Sequence, residues 1–283
     1  MSIRVSLVAG VLIAGWSMAG WSVTVAAETP VERGRYLVES IAGCGNCHSL
    51  QDAGGQIPGK ELAGGPPIQD AGFDAWPANI TPDKETGIGT WSDAEIVRAI
   101  REGVDRDGRV MGPPMPFWLY RDIADDDANA MVAYLRTVKP VRNAVPESVY
   151  RMPLPPSWGP AVSGVTAPPR SDKVAYGGYL AGPVGHCVEC HTPMTEKGGL
   201  DMARLGAGAR EFHGPWGTSV SRNITPAAMG DWTDAEIKLA IASGASRDGS
   251  RLLPPMGFGF YARMTDADLD AVVAWMRSLK PVD

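Results

Sequence analysis

The chain has 283 residues, 44% of them hydrophobic and 20% charged, with a formal net charge of -6. That length is too great for one small module and suits two domains of ordinary size, and an acidic balance without any Lys/Arg cluster argues against nucleic acid as a partner, because phosphate binding needs a basic patch. The 34 glycines and 24 prolines forecast irregular, loop-rich chain around modest helices.

In chain order, Met1 to Ala27 differs in kind from the rest: Arg4 is its only charge, Val5 to Trp21 is mostly apolar, and Val25-Ala26-Ala27 forms a small-residue exit. This reads as a signal peptide over 1–27 and places the protein in the periplasm. Cleavage there removes Arg4 alone among charged residues and takes the net charge from -6 to -7. The competing reading is an uncleaved anchor facing the periplasm, since the apolar run approaches the roughly 20 residues of a spanning helix.

A first domain is expected over 28–150. It opens with a helix from about Val31 into Cys44-Gly45-Asn46-Cys47-His48. A C-x-x-C-H run is the attachment signature of c-type haem: two thiols add to the vinyl groups and the adjacent imidazole becomes the proximal iron ligand. Two intervening residues let both sulfurs reach one edge of the same macrocycle, and the next residue comes under the iron. Asn79-Ile80-Thr81-Pro82 and Trp91 follow. A second helix opens at Ser92, with Glu95 three residues on as a capping box and Ile96, Val97 and Ile100 on one buried face. Beyond Pro113-Pro114-Met115, a last helix spans Asp125 to Val138, its acidic start and basic end suiting the helix dipole. No run alternates strictly enough for a strand, so the fold class is mainly all-α.

Arg151 to Arg170 contains Pro153, Pro155, Pro156, Pro160, Pro168 and Pro169. Proline fixes its own backbone angle and disfavours helix in the residue before it. This is a linker over 151–170, either a semi-extended connector or a strap fixing the orientation of two domains.

The second domain, 171–283, repeats the first in the same order with offsets of 141 to 144 residues. Gly34-Arg35-Tyr36-Leu37 matches Gly177-Gly178-Tyr179-Leu180, and the haem motif returns as Cys187-Val188-Glu189-Cys190-His191. Asn223-Ile224-Thr225-Pro226, Trp232-Thr233-Asp234-Ala235-Glu236-Ile237 and Pro254-Pro255-Met256 complete the series. The glycines and Pro183 make the entering helix, from about Lys173, shorter or broken in this copy.

Each iron has His48 or His191 on one side. Of 12 methionines, only Met115 and Met256 occupy matching positions, both behind paired prolines that stiffen the approach. They are the candidate axial ligands. Met111 is set aside because its counterpart is Leu252. His186 shares the attachment loop, and His213, beside Gly214-Pro215, reads as a hydrogen-bonding surface residue. The Asn-Ile-Thr-Pro segments, Trp91, Trp232 and Arg222 either line the haem edges or serve turn and core packing. All four cysteines are committed to the two motifs, and each Cys-Cys-His set is one ligand short of a closed zinc site. The second copy's His186, Pro183 and extra loop around His213 predict unequal environments and resolvable midpoint potentials.

On these motifs the chain resembles class I cytochromes c, and more closely the diheme members related to cytochrome c subunits of membrane-associated alcohol and gluconate dehydrogenases. The resemblance covers nearly the whole mature chain. It implies two tandem helical domains with loop-rich haem pockets, two covalently bound haem c groups with iron held by His48/Met115 and His191/Met256, and attachment outside the cytoplasmic membrane. The function expected is electron transfer, from a donor dehydrogenase to an acceptor cytochrome or terminal oxidase, without catalytic residues. The alternative is a diheme enzyme such as a peroxidase, kept open by His213 and Glu211.

Overall fold

The computed structural model describes residues 27–52, 55–196 and 198–283; the signal segment, Ala27 apart, lies outside the described residues. Helix α1 (Pro30–Tyr36) begins at Thr29, whose hydroxyl accepts from the Glu32 amide while the Glu32 carboxylate accepts from the Thr29 amide. A π turn, Leu37–Ile41, carries it on to α2 (Gly45–His48), which holds most of the first motif. Three short strand pairings follow in the same half: β1 (Gln51–Asp52) with β2 (Gly55–Gln56), β3 (Ile68–Asp70) with β4 (Phe73–Ala75), and β4 again with a strand just ahead of the linker. Helix α3 (Asp93–Glu102) has the predicted capping box and stops at Gly103, in the left-handed region at φ 63°. Helices α4 (Phe117–Tyr120) and α5 (Asp125–Leu135) complete the first repeat.

The second repeat runs through α6 (Lys173–Tyr179), a π turn (Leu180–Val184) and α7 (Cys187–His191). Helices α8 (Pro226–Met229), α9 (Asp234–Ser243), α10 (Phe258–Tyr261) and α11 (Asp266–Ser278) follow. The entering helix is not shortened here. Both copies have seven helical residues and a five-residue π turn. Pro183 sits in that turn, where the helical ladder is already loosened, so its missing N–H breaks little. The glycines are there for a crossing. A Cβ on Gly34 would lie 1.8 Å from the Ala130 carbonyl oxygen of α5, and one on Gly177 1.9 Å from that of Ala271 in α11.

The strands escaped the sequence pattern because each is only two to four residues long, too short to alternate. The last residues of the first domain, just ahead of the linker, supply β5 (Val149–Tyr150), antiparallel to β4 with Tyr150 opposite Phe73, and the linker continues from it. It is a strap on the first repeat. Tyr150 and Leu154 cover Gly112, the Trp158 indole N–H donates to the Met111 carbonyl at 2.8 Å, and the Gly164 amide donates to Asp125 at 2.8 Å. The loop around His213 is the hairpin of β6 (Glu211–Gly214) and β7 (Gly217–Val220). It is not extra, because β3 and β4 occupy the matching place in the first copy.

One hydrophobic cluster runs through both repeats. It includes Leu37, Val38, Ile41, Ile96, Ile123 and Met131 from the first, and Leu180, Val184, Ile237, Val272 and Met276 from the second. The repeats meet by a pseudo-twofold arrangement: α4 packs on the second π turn, α10 on the first, and the π turns on each other. The Tyr36 hydroxyl donates to Asp268 at 2.7 Å and accepts from the Thr265 amide at 3.0 Å. Its counterpart Tyr179 donates to Asp127 at 2.7 Å and accepts from the Ala124 amide at 3.1 Å.

Candidate functional site

Each motif sits where the chain leaves its π turn and reverses. In the first copy the Cys44 amide donates to the Val38 carbonyl, and the Gly64 amide returns to the His48 carbonyl at 2.9 Å. In the second the Gly208 amide returns to the His191 carbonyl at 2.8 Å. These bonds clamp the histidine from both directions along the chain. The imidazoles are aimed by one further contact each. His48 Nδ1 donates to the Ala78 carbonyl at 2.7 Å and His191 Nδ1 to the Arg222 carbonyl at 2.7 Å. A carbonyl oxygen can only accept, so the proton belongs on Nδ1 and Nε2 keeps its lone pair.

Electrostatics agree. Burial pushes the pKa of both imidazoles below the usual value, against the opposing pull of those carbonyls, so they stand neutral, the form that binds iron. Burial also pushes the thiols up, Cys44 and Cys190 to about 12 and Cys47 and Cys187 to about 11. All four are free of disulfides. Two thiols and a neutral Nε2 donor on a single short helix and its N-cap, repeated in the second copy, fit a covalently attached haem. Among the described residues no group of three or more His, Cys, Asp or Glu side chains is arranged to hold a bare metal ion.

The two motifs converge on the repeat interface. Glu189 of the second lies near enough to Cys47 of the first that its carboxylate, after burial, contributes to raising that thiol. It is paired with His186 Nδ1 at 3.2 Å, and the His186 ring meets Tyr120 of the first repeat edge-on, centroids 6.0 Å apart. Burial pushes the hydroxyls of Tyr120 and its counterpart Tyr261 well above the ordinary tyrosine value.

Met115 is half-buried against the shared cluster and Met256 is half-buried in its loop. Both follow a cis Pro-Pro peptide. His213 is exposed on β6, with Nδ1 at 3.0 Å from the Thr218 hydroxyl and Nε2 3.9 Å from Glu211, as the reading of a surface residue expects. The Asn-Ile-Thr-Pro segments are turn devices: Asn79 Oδ1 accepts from the Thr81 amide and hydroxyl while Nδ2 donates to the Val141 carbonyl, and Asn223 repeats this with Thr225 and Val282. Trp91 and Trp232 pack against the core, and their carbonyls accept from Arg136 and Arg277. Sequence reasoning pairs Tyr36 with Tyr179 but assigns them no role, and it misses Asp127 and Asp268 altogether. Their equivalent positions are the available signal.

Residues 31–139 and 181–280 each match the Cytochrome c family. The chain belongs to that family and carries two covalently bound haem c groups. It is 32% identical over 267 residues to one of the subunits of nicotinate dehydrogenase from Pseudomonas putida, covering 88% of this chain and 21% of that protein. It is 31% identical over 288 residues to the cytochrome c subunit of the quinone alcohol dehydrogenase of Gluconacetobacter polyoxogenes, covering 92% of this chain and 59% of that one. It is 30% identical over 258 residues to a diheme cytochrome c-type protein of Cereibacter sphaeroides, covering 85% and 83%. The chain thus spans about a fifth and three-fifths of the first two.

Proposed function

We propose that this is a periplasmic diheme electron-transfer cytochrome that accepts electrons from a dehydrogenase and passes them to a downstream cytochrome or terminal oxidase. Its two domains occupy 28–150 and 171–283, behind a signal peptide over 1–27. The observation that carries the reading is the packing of the two π turns that run into the attachment motifs, with the His186 ring of the second motif's loop edge-on to Tyr120 of the first repeat, centroids 6.0 Å apart. An internal relay needs that proximity.

When bound, each haem supplies an iron centre that cycles by one electron. The protein's part is to hold and insulate. Cys44, Cys47, Cys187 and Cys190 form the thioethers. His48 and His191 would hold the iron through Nε2, with Met115 and Met256 as the sulfur donors, a ligand set that would discourage small-ligand chemistry and raise the potential. The carbonyls of Ala78 and Arg222 keep each imidazole from turning between the two oxidation states. Among the described residues no helix is long and apolar enough to cross a membrane. Similarity to cytochrome subunits of alcohol, gluconate and fructose dehydrogenases supports a dehydrogenase as donor.

The test is kinetic. The purified holoprotein should be fully reduced by such a dehydrogenase turning over its substrate, then reoxidised by membranes carrying a terminal oxidase. Rapid peroxide turnover without any dehydrogenase would overturn the reading in favour of a peroxidase.

A further inference from the structure

The repeats differ on one face. In the first, β5 and the linker that continues from it cover the segment leading to Met115: β5 closes the outer edge of β4, Tyr150 and Leu154 lie over Gly112, and Trp158 packs on Phe117 and Trp118 with centroids 5.9 and 5.8 Å apart. Phe117 is left 1% exposed. In the second repeat, β7 holds the place of β4, and among the described residues its outer edge pairs with nothing. Val220 on that strand is 55% exposed and Leu253, in the place of Gly112, is 45% exposed. Phe258, the counterpart of Phe117, is only half-buried. Gly259 replaces Trp118, and no atom lies within 4 Å of where its Cβ would be.

We infer that this uncovered face of the second domain is the docking site for the electron-accepting partner, which lays an extended segment along the free edge of β7 and over Leu253. The inference rests on the electron-transfer reading above. The first domain shows what chemistry the frame accepts: a short antiparallel strand, a proline-interrupted run and an aromatic anchor. Leu253 already supplies the apolar surface that Tyr150 supplies in the first copy, so the partner's strand carries a small side chain there. The gap at Gly259 takes its aromatic anchor. Arg251 is exposed and makes no ion pair among the described residues, so the segment also carries a carboxylate. Docking here touches the loop that ends in Met256 and so makes the second haem the one that exchanges electrons with the partner.

The experiment follows reoxidation of the reduced holoprotein by membranes carrying the terminal oxidase, with ferricyanide as a small acceptor that needs no docking. Leu253→Glu, Val220→Glu and Arg251→Glu alter exposed positions. Each is expected to slow oxidation by membranes about tenfold while leaving the ferricyanide rate and both haem spectra unchanged. Arg251→Glu should in addition weaken the dependence on ionic strength. Wild-type rates with membranes in all three variants would overturn the inference. So would concentration-dependent dimers abolished by Leu253→Glu in sedimentation velocity, which would make a second copy the occupant, or Leu253-dependent binding to protein-free vesicles of the membrane lipids. A wild-type protein that membranes cannot oxidise at all would instead strike the electron-transfer reading and take this inference with it.

Discussion

At the scale of single residues, the chemistry of the site depends on atoms that compete for protons and lone pairs. Met115 and Met256 are proposed as the sulfur ligands, and each is tested on its own. Met115→Ala should halve the ferric sulfur-to-iron absorption band, Met256→Ala should remove the other half, and the double variant should lack it; a full band in either single variant excludes that methionine. Asp127 offers a second test. Burial works against its charge, but the two-pronged pair with Arg33, 2.8 Å on each arm, outweighs that and, with the Tyr179 hydroxyl, holds its pKa below the usual carboxylate value. The Arg33 and Asp127 side chains are 11% and 9% exposed. A depressed carboxylate pKa stabilises the folded state above the unfolded value of about 3.9, and the contribution is lost as pH falls through the folded value. Asp127→Asn should therefore cost about 3–5 kcal/mol near neutral pH, because Arg33 is left buried and unpaired. In denaturant melts the wild type's advantage over this variant should shrink steadily below about pH 4.

Among the elements, the crossings of α1 with α5 and of α6 with α11 decide how closely each repeat closes around its motif. Those crossings need glycine. A Cβ at 1.8 Å or 1.9 Å from a carbonyl oxygen lies far inside contact distance and forces the helices apart. Gly34→Ala and Gly177→Ala should each destabilise by about 3 kcal/mol, near the upper end for overpacking, read as a lower melting temperature of the holoprotein. A substitution that leaves it unchanged would mean the crossing relaxes freely. The capping boxes at Ser92 and Thr233 and the helices they open were legible from the chain, because a cap is a contact between residues three apart. The π turns were not legible. Their position depends on what the other repeat packs against them, and no local pattern distinguishes them from ordinary helix.

For the whole molecule, duplication makes the repeats alike and the linker makes them different. It shields the loop before Met115, whereas the loop before Met256 lies open. Shielding from water disfavours the more positively charged ferric state, so the first haem should have the higher midpoint potential. A spectroelectrochemical titration should need two potentials, with the higher one displaced in Met115→Ala; a single potential for both would count against this asymmetry. The chain alone suggests inequality through a shortened helix and an extra loop, neither of which exists, so the prediction stands on the strap instead. By itself the sequence determined the tandem repeat, the family and the two covalently bound haem c groups, because attachment motifs and helix caps depend on neighbours along the chain. The tertiary structure alone decided which carbonyls orient His48 and His191, that Tyr36 and Tyr179 reach carboxylates of the opposite repeat, and which face the linker leaves uncovered. The hydrogen bonds among these join residues at least 30 positions apart, a distance at which no spacing rule records a contact and only packing brings the groups together.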